Sequence, residues 1–277
     1  MKKELIRNKR SSTDSLTSSH SPFSDDSGSA NSPADPLANF QPYHRDLITE
    51  LMNAKSIFND EAQMKIVTHC KTIAEVFVHS AAYIRNIIKF CKSIESFKSL
   101  NQKDQLVLLK EFFIDHQAIH FSFVYNRESD GISMKMMNRD NEAVFIKLSI
   151  FYQWSKINVE SIFRQFLQIM SYEMENDQHI RNLLIAIQLF KAQENISNPE
   201  LIRYHHYVYR YLLKRYLYNK YDNNFEKAEK KFEIFMTCFE ELITIKELSS
   251  KIYSDVNSQI NSRQALDVLN EILILDD

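Results

Sequence analysis

Residues 97–115 read FKSLNQKDQLVLLKEFFID, and residues 116–126 continue as HQAIHFSFVYN. Asn101 is a good N-cap, and Asp104 at the third position after it suits the positive end of a helix dipole. A helix is expected over about 101–126. It is apolar almost all round: Leu106 to Leu109, Phe112 to Ile114, Ala118, Ile119, Phe121 and Phe123 to Tyr125. Such a helix belongs inside the protein, covered on every side.

The composition around this stretch points the same way. The chain has 277 residues with two glycines and five prolines, against about 19 and 14 at average usage. Gly28, Pro22, Pro33, Pro36 and Pro42 precede residue 43, which leaves Gly131 and Pro199 for the rest. Phosphate-cradling loops and tight hairpins favour glycine where φ is positive or a ligand meets the backbone. Rossmann, P-loop, β-sandwich and TIM-barrel folds are therefore not expected, and an all-α body is. Three cysteines, Cys70, Cys91 and Cys238, are too few for a four-cysteine zinc module, and their odd number argues for a reducing compartment. A net charge of −2 offers nucleic acid no basic field over the body, and no apolar run spans a membrane.

Residues 1–10, MKKELIRNKR, hold five bases and one acid, and ten of residues 11–40 are serine. That composition reads as a basic extension and disordered hinge over 1–42, with the folded domain over 43–277. Within the domain, helical spacing is expected over 44–60, 67–93, 141–155, 158–174, 177–193, 199–220 and from 225, with a last helix at about 263–275. A small turn or hairpin is expected near 127–138, around Gly131. Asn198-Pro199 is a start signal of cap followed by proline. The helix from Phe225 repeats Phe232, Phe235, Phe239 and Leu242 close to a coiled-coil spacing.

The opening stretch resembles the signature of nuclear hormone receptor ligand-binding domains: an aromatic (Phe97), Leu100, Asp104-Gln105, Leu108-Leu109-Lys110, and an acid at Asp115. Three further segments agree in order. LLIAIQLF (183–190) is similar to the family's eighth helix, KFEIFMTCFEELITIKELS (231–249) to its dimerisation helix, and VLNEIL (268–273) to its activation helix. The basic extension resembles receptors of the vitamin D, liver X and nematode steroid-acid group.

The resemblance implies a three-layer antiparallel sandwich of about 10–12 helices, without enzyme activity or cofactor. It implies a ligand-regulated transcription factor of the nucleus, cut at or just after its zinc-finger DNA-binding domain. The expected partners are a lipophilic ligand of sterol or steroid-acid class, LxxLL coactivator peptides, and a homo- or heterodimer partner on the 225–257 helix. DNA is expected to be reached only through the missing domain, and no membrane is involved. Ligand contacts are expected from Ile73, Val76, His79, Ser80, Tyr83, Ile114, Gln117, His120 and Phe121. The coactivator groove is expected from Ile88, Lys92, Leu106, Leu109, Lys110 and Val268, with Glu271.

A two-turn peptide helix, about 12 Å long, leaves N–H groups unpaired at one end and C=O groups at the other. Lys92 suits the carbonyl end and Glu271 the amide end, both opposing the dipole. The alternative for Glu271 is a solvated gap in a terminal helix packed on the core. Asp115, His116, Gln117 and His120 need partners if buried. Asp115 fits structural hydrogen bonds to neighbouring helices, Gln117 and His120 fit a ligand's polar end, and Asp115, His116 and His120 also raise a metal site, with His116 and His120 as its ligands in a helical hydrolase. An orphan domain with its cavity filled by side chains or a resident lipid is the other alternative.

Overall fold

The computed structural model describes residues 35–58, 64–136, 141–154 and 159–257. Residues 1–34 of the expected hinge and the expected helix at 263–275, with Val268 and Glu271, lie outside the described residues; residues 35–42 are part of the folded body, with Phe40 buried and α1 beginning at Pro42. Eight α-helices occur among those described: α1 (Pro42–Ala54), α2 (Ile73–Lys92), α3 (Glu95–Lys98), α4 (Gln102–Val124), α5 (Val159–Met174), α6 (Gln178–Leu189), α7 (Pro199–Lys220) and α8 (Phe225–Asn257). Short 3-10 helices follow α1 (Lys55–Phe58) and precede α5 (Leu148–Trp154).

The inner layer is α4 with α6. α4 touches α2, α5, α6 and α8, while α6 also carries α1 on one side and α7 on the other. Every residue of α6 from Ile180 to Leu189 is buried, Arg181, Asn182 and Gln188 included. α8 closes the body against α5 and α7. Its Phe232, Phe235, Phe239 and Leu242 face the core, so the coiled-coil-like spacing of this stretch serves internal packing.

The caps follow sequence logic. Asn101 Oδ1 accepts the Asp104 N–H at 2.9 Å, Asn198 Oδ1 accepts the Leu201 N–H at 3.2 Å, and Asp177 Oδ1 accepts from His179 and Ile180. The start of α2 is later than its apolar rhythm indicates. Thr72 caps Ile73, and residues before it form a strand, β1 (Lys65–His69).

The hairpin near 127–138 belongs to a larger sheet. Strands β2 (Tyr125–Asn126), β3 (Gly131–Lys135) and β4 (Glu142–Lys147) join β1 in the order β1-β4-β3-β2, and β1 runs parallel to β4. The helix expected over 141–155 is thus corrected to a strand followed by a 3-10 turn. Ala143, Val144, Phe145 and Ile146 are all buried. A short run buried on both faces has no period to tell strand from helix, and its β-branched and aromatic residues favour the strand.

Turns here do without glycine. Asp130, Asn141, Asn176, Asn195, Asp222 and Asn223 take positive φ, as does Glu175, whereas Gly131 does not. Asp and Asn tolerate the left-handed region through local hydrogen bonding. Gly131 is needed for space instead: a Cβ there would lie 2.3 Å from Phe145 Cζ and 2.6 Å from the Ile146 carbonyl oxygen.

Candidate functional site

The signature residues of α4 hold the helical layers together. Asp104, fully buried, accepts the Ser197 N–H at 2.7 Å and the Asn198 N–H at 3.3 Å, and takes a third bond from Asn101 Nδ2 at 2.8 Å. It pins the start of α4 to the cap of α7. Burial alone would raise its pKa, but the bonds from Ser197 and Asn101 outweigh that and lower it. Gln105 Nε2 reaches the carbonyls of Phe97, Lys98 and Leu100, satisfying the end of α3. Asp115 is buried, and Lys246 of α8 donates to it at 3.4 Å and to the Glu111 carbonyl at 2.7 Å. Burial raises the Asp115 pKa against the pull of that lysine. This geometry fits the structural hydrogen bonding expected of Asp115.

One face of α4 is not fully covered. Phe113, Ile114, Gln117 and Val124 are only half-buried, although their neighbours Phe112, Ala118, Ile119 and Phe121 are buried. Their spacing puts them on a single stripe, joined by buried Phe121. Tyr83 of α2 packs against this stripe, its ring 6.5 Å from Phe113 and 6.1 Å from Phe121. Val76 on the same helix is buried. Ile114, Gln117, His120, Phe121, Val76 and Tyr83 thus all belong to the α2–α4 side of the interior. The side chains of Ile73, His79 and Ser80 lie outside those described.

Beside the stripe sits a polar pair in an aromatic cage. The Tyr83 hydroxyl and His116 Nδ1 are 2.8 Å apart, and His120 stacks on His116 at 6.0 Å. Phe58, Phe90 and Phe112 surround His116 at 4.9, 5.8 and 5.4 Å. His116 Nε2 is buried without a hydrogen-bond partner. Burial, with minor help from His120 and Arg181, drives the His116 pKa far down, so the ring is neutral. Among the described residues no group of three or more His, Cys, Asp or Glu side chains is placed to hold a metal. Cys70, Cys91 and Cys238 are buried free thiols with burial-raised pKa values, unsuited to nucleophilic work.

The expected groove residues lie on the end of α2 and the start of α4. Ile88 and Leu109 are buried, Leu106 and Lys92 half-buried, and Lys110 exposed. A separate cleft of about 500 Å³ between α1 and Ser93 is lined by Asp46, Glu50 and Asn53. It is not that groove, and Glu50 there is occupied by the Glu95 N–H at 2.6 Å.

Sequence reading named Tyr83 and His116 but did not pair them, because they are 33 residues apart. It missed the clamp of Arg164 on Asp130, whose three bonds of 3.0, 3.2 and 2.7 Å fix the β2–β3 turn to α5. The signal was available: an aspartate just before the lone glycine of a turn has a partner to find. It also missed buried Arg181, whose guanidinium lies 4.4 Å above the Phe123 ring.

Comparison with known proteins agrees with this geometry. Residues 62–227 match the ligand-binding domain of nuclear hormone receptor, well over half of the chain. The chain is 23% identical over 237 residues to nuclear hormone receptor HR96 of Drosophila melanogaster, covering 85% of this chain and 31% of the relative. It therefore spans less than a third of that relative's length. The fold, the α4 signature and the family match converge: the chain belongs to the nuclear hormone receptor ligand-binding domain family.

Proposed function

We propose that this domain binds a lipophilic, sterol-sized ligand and converts that binding into recruitment of an LxxLL coactivator helix. The observation that carries the reading is the half-buried stripe Phe113, Ile114, Gln117 and Val124 on α4, a helix of the inner layer. A mostly apolar face with few polar groups, here Gln117, His120 and Tyr83, has the chemistry of a lipid site. Membership in a non-enzymatic family sets aside the hydrolase using His116 and His120.

In this reading the helix at 263–275 docks over the ligand. Glu271 then takes the amide end of the peptide and Lys92 its carbonyl end, with Ile88, Leu106, Leu109, Lys110 and Val268 between. Ligand acts by population shift, binding the docked state more tightly than the undocked one. Dimerisation falls to the outer face of α8, where Ile243 is exposed. The hinge, over residues 1–34, joins this domain to a DNA-binding domain in a nuclear transcription factor. Its basic start supports the vitamin D, liver X and nematode steroid-acid group.

The test is peptide titration by fluorescence anisotropy on Lys92→Ala and Glu271→Ala. LxxLL binding is expected to be lost in both while lipid affinity stays within a few-fold. Unchanged peptide binding in both variants refutes the clamp. The cage of Phe58, Phe90 and Phe112 around His116 supports a second reading, a domain whose interior is filled by its own side chains. Native mass spectrometry separates the two, since only the first carries exchangeable lipid.

A further inference from the structure

The outer surface of α7 carries a second, solvent-facing seam, on which Tyr204 hydrogen-bonds Tyr43 and Tyr211 meets the His44 ring at 5.4 Å, both on α1. Tyr204, Tyr211, Tyr218 and Phe225 recur every seven residues and are 53%, 47%, 37% and 63% exposed. Between them, at the intervening three-residue step, stand Tyr207 (65% exposed), Lys214 and Tyr221. Within α7 this is a heptad pattern with a at 204, 211 and 218 and d at 207 and 214, while Tyr221 is the C-cap and Phe225 opens α8 beyond a turn. The core-facing positions are different ones: Ile202, Tyr209 and Tyr216, also seven apart, are buried. The helix therefore has one seam for its own core and another turned to solvent.

Exposure of this kind is concentrated. Of the ten large apolar or aromatic residues exposed among the described residues, four lie on this ridge, and a fifth, Phe225 of α8, has its ring 6.2 Å from Tyr218. Tyr204 to Tyr218 spans roughly 21 Å of helix. Soluble surfaces carry single exposed aromatics without consequence, but a contiguous row marks an interaction site. Tyrosine suits such a site, being soluble when bare and a strong anchor when covered.

The flanking charges state what covers it. In the heptad register the g and e positions of α7 beside the seam are Arg203, Val208, Arg210, Arg215 and the buried Leu217, so every charge among them is basic. Arg203 pairs with Glu200. Arg210 reaches Met236 Sδ at 2.8 Å and the Phe232 ring, while Arg215 reaches the carbonyl of Asn39 at 2.7 Å and the Tyr211 hydroxyl at 3.1 Å. The contacts of these last two are to neutral atoms, so their charge is held in place without being cancelled by them. α7 as a whole has five basic residues and one acidic one. A second copy of α7 would bring like charges together, whereas a helix with acids at e and g meets all three arginines.

We propose that the Tyr204–Tyr207–Tyr211–Tyr218 ridge of α7 docks an acidic amphipathic helix of a partner protein, at a site separate from the coactivator groove. The tyrosines bury against the partner's apolar seam, and Arg203, Arg210 and Arg215 select its flanks.

The test uses the full chain and two labelled 21-residue helical probes with leucine at a and d, one with glutamate at e and g, the other with lysine. The glutamate probe is expected to bind at least tenfold tighter than the lysine probe, and less tightly as salt rises. Tyr207→Ala/Tyr211→Ala should weaken it about tenfold, and Arg210→Glu should narrow the gap between probes. Both substitutions are at partly or fully exposed positions, and thermal unfolding of each verifies the fold. Lys92→Ala should leave glutamate-probe binding intact; a parallel loss would assign the probe to the coactivator groove and overturn the proposal. Equal binding of the two probes, binding of neither, or sedimentation showing that the tyrosine substitutions dissolve a dimer of this chain would each overturn it too.

Discussion

Asp104→Ala removes the carboxylate that joins the start of α4 to the cap of α7. Two charge-assisted bonds from backbone donors are lost, those of Ser197 at 2.7 Å and Asn198 at 3.3 Å, together with the Asn101 contact at 2.8 Å. Each bond to a charged group contributes about 1.5–3 kcal/mol net. The longer one belongs at the bottom of that range, and Ser197 and Asn198 are exposed enough for water to reach the freed donors. Loss of a negative charge at the α4 N-terminus adds roughly 0.3–1 kcal/mol. The sum is about 3 kcal/mol, or about 6–12 °C for a domain of this size. Urea denaturation followed by circular dichroism measures it, with Asp104→Asn as the intermediate case because it keeps one acceptor. The expected order is wild type, then Asn, then Ala, with the slope of the transition unchanged. A loss below about 1 kcal/mol in the alanine variant would refute the claim that this residue ties the layers together.

Gly131→Ala should destabilise by about 2–3 kcal/mol, since the added methyl forces the buried Phe145 ring to turn and meets the Ile146 carbonyl, which cannot withdraw without parting β3 from β4; calorimetry checks it. His116 stays neutral when folded but titrates near 6.5 when unfolded, so the unfolded state binds the extra proton. Stability then falls as pH drops below about 6.5, and His116→Phe should reduce that slope by up to about 1.4 kcal/mol per pH unit between 6 and 5. Lys231, buried beside Glu173 at 2.6 Å and Glu175 at 3.0 Å, should cost about 2 kcal/mol as Lys231→Met, and Glu173→Gln in the same chain should restore part of it. Burial would raise the Glu175 pKa, but Lys231 and Lys220 hold it down to about 2. The stability it contributes is present above the unfolded value and fades as pH falls toward 2, and Lys231→Met should move that loss to higher pH in an acid titration.

Much of this was legible in the chain. α4 announced itself by being apolar all round and capped by Asn101, and α7 by Asn198-Pro199, because helix caps and burial are local properties. Asp115 was recognised as needing a structural partner, but Lys246 as that partner was not, since 131 residues separate them. Glu142–Lys147 was misread as helix because a short run buried on both faces carries no period. The scarcity of glycine excluded the right folds for a reason that holds only in part: Asp130 and Asn141 make turns that glycine would otherwise make. The half-covered stripe on α4 was invisible from sequence, since hydrophobicity marks a residue as apolar without marking whether protein or ligand covers it.

The most direct test of the ligand-to-coactivator link is LxxLL-peptide affinity measured with and without each member of a sterol and steroid-acid panel, using thermal stabilisation to find the lipids that bind. Linkage requires that a lipid which tightens the peptide is itself tightened by the peptide, by the same factor. At least one lipid should tighten the peptide about tenfold or more, and Glu271→Ala should abolish that gain while the lipid still raises the melting temperature. Peptide affinity that is indifferent to every lipid that stabilises the domain would contradict it.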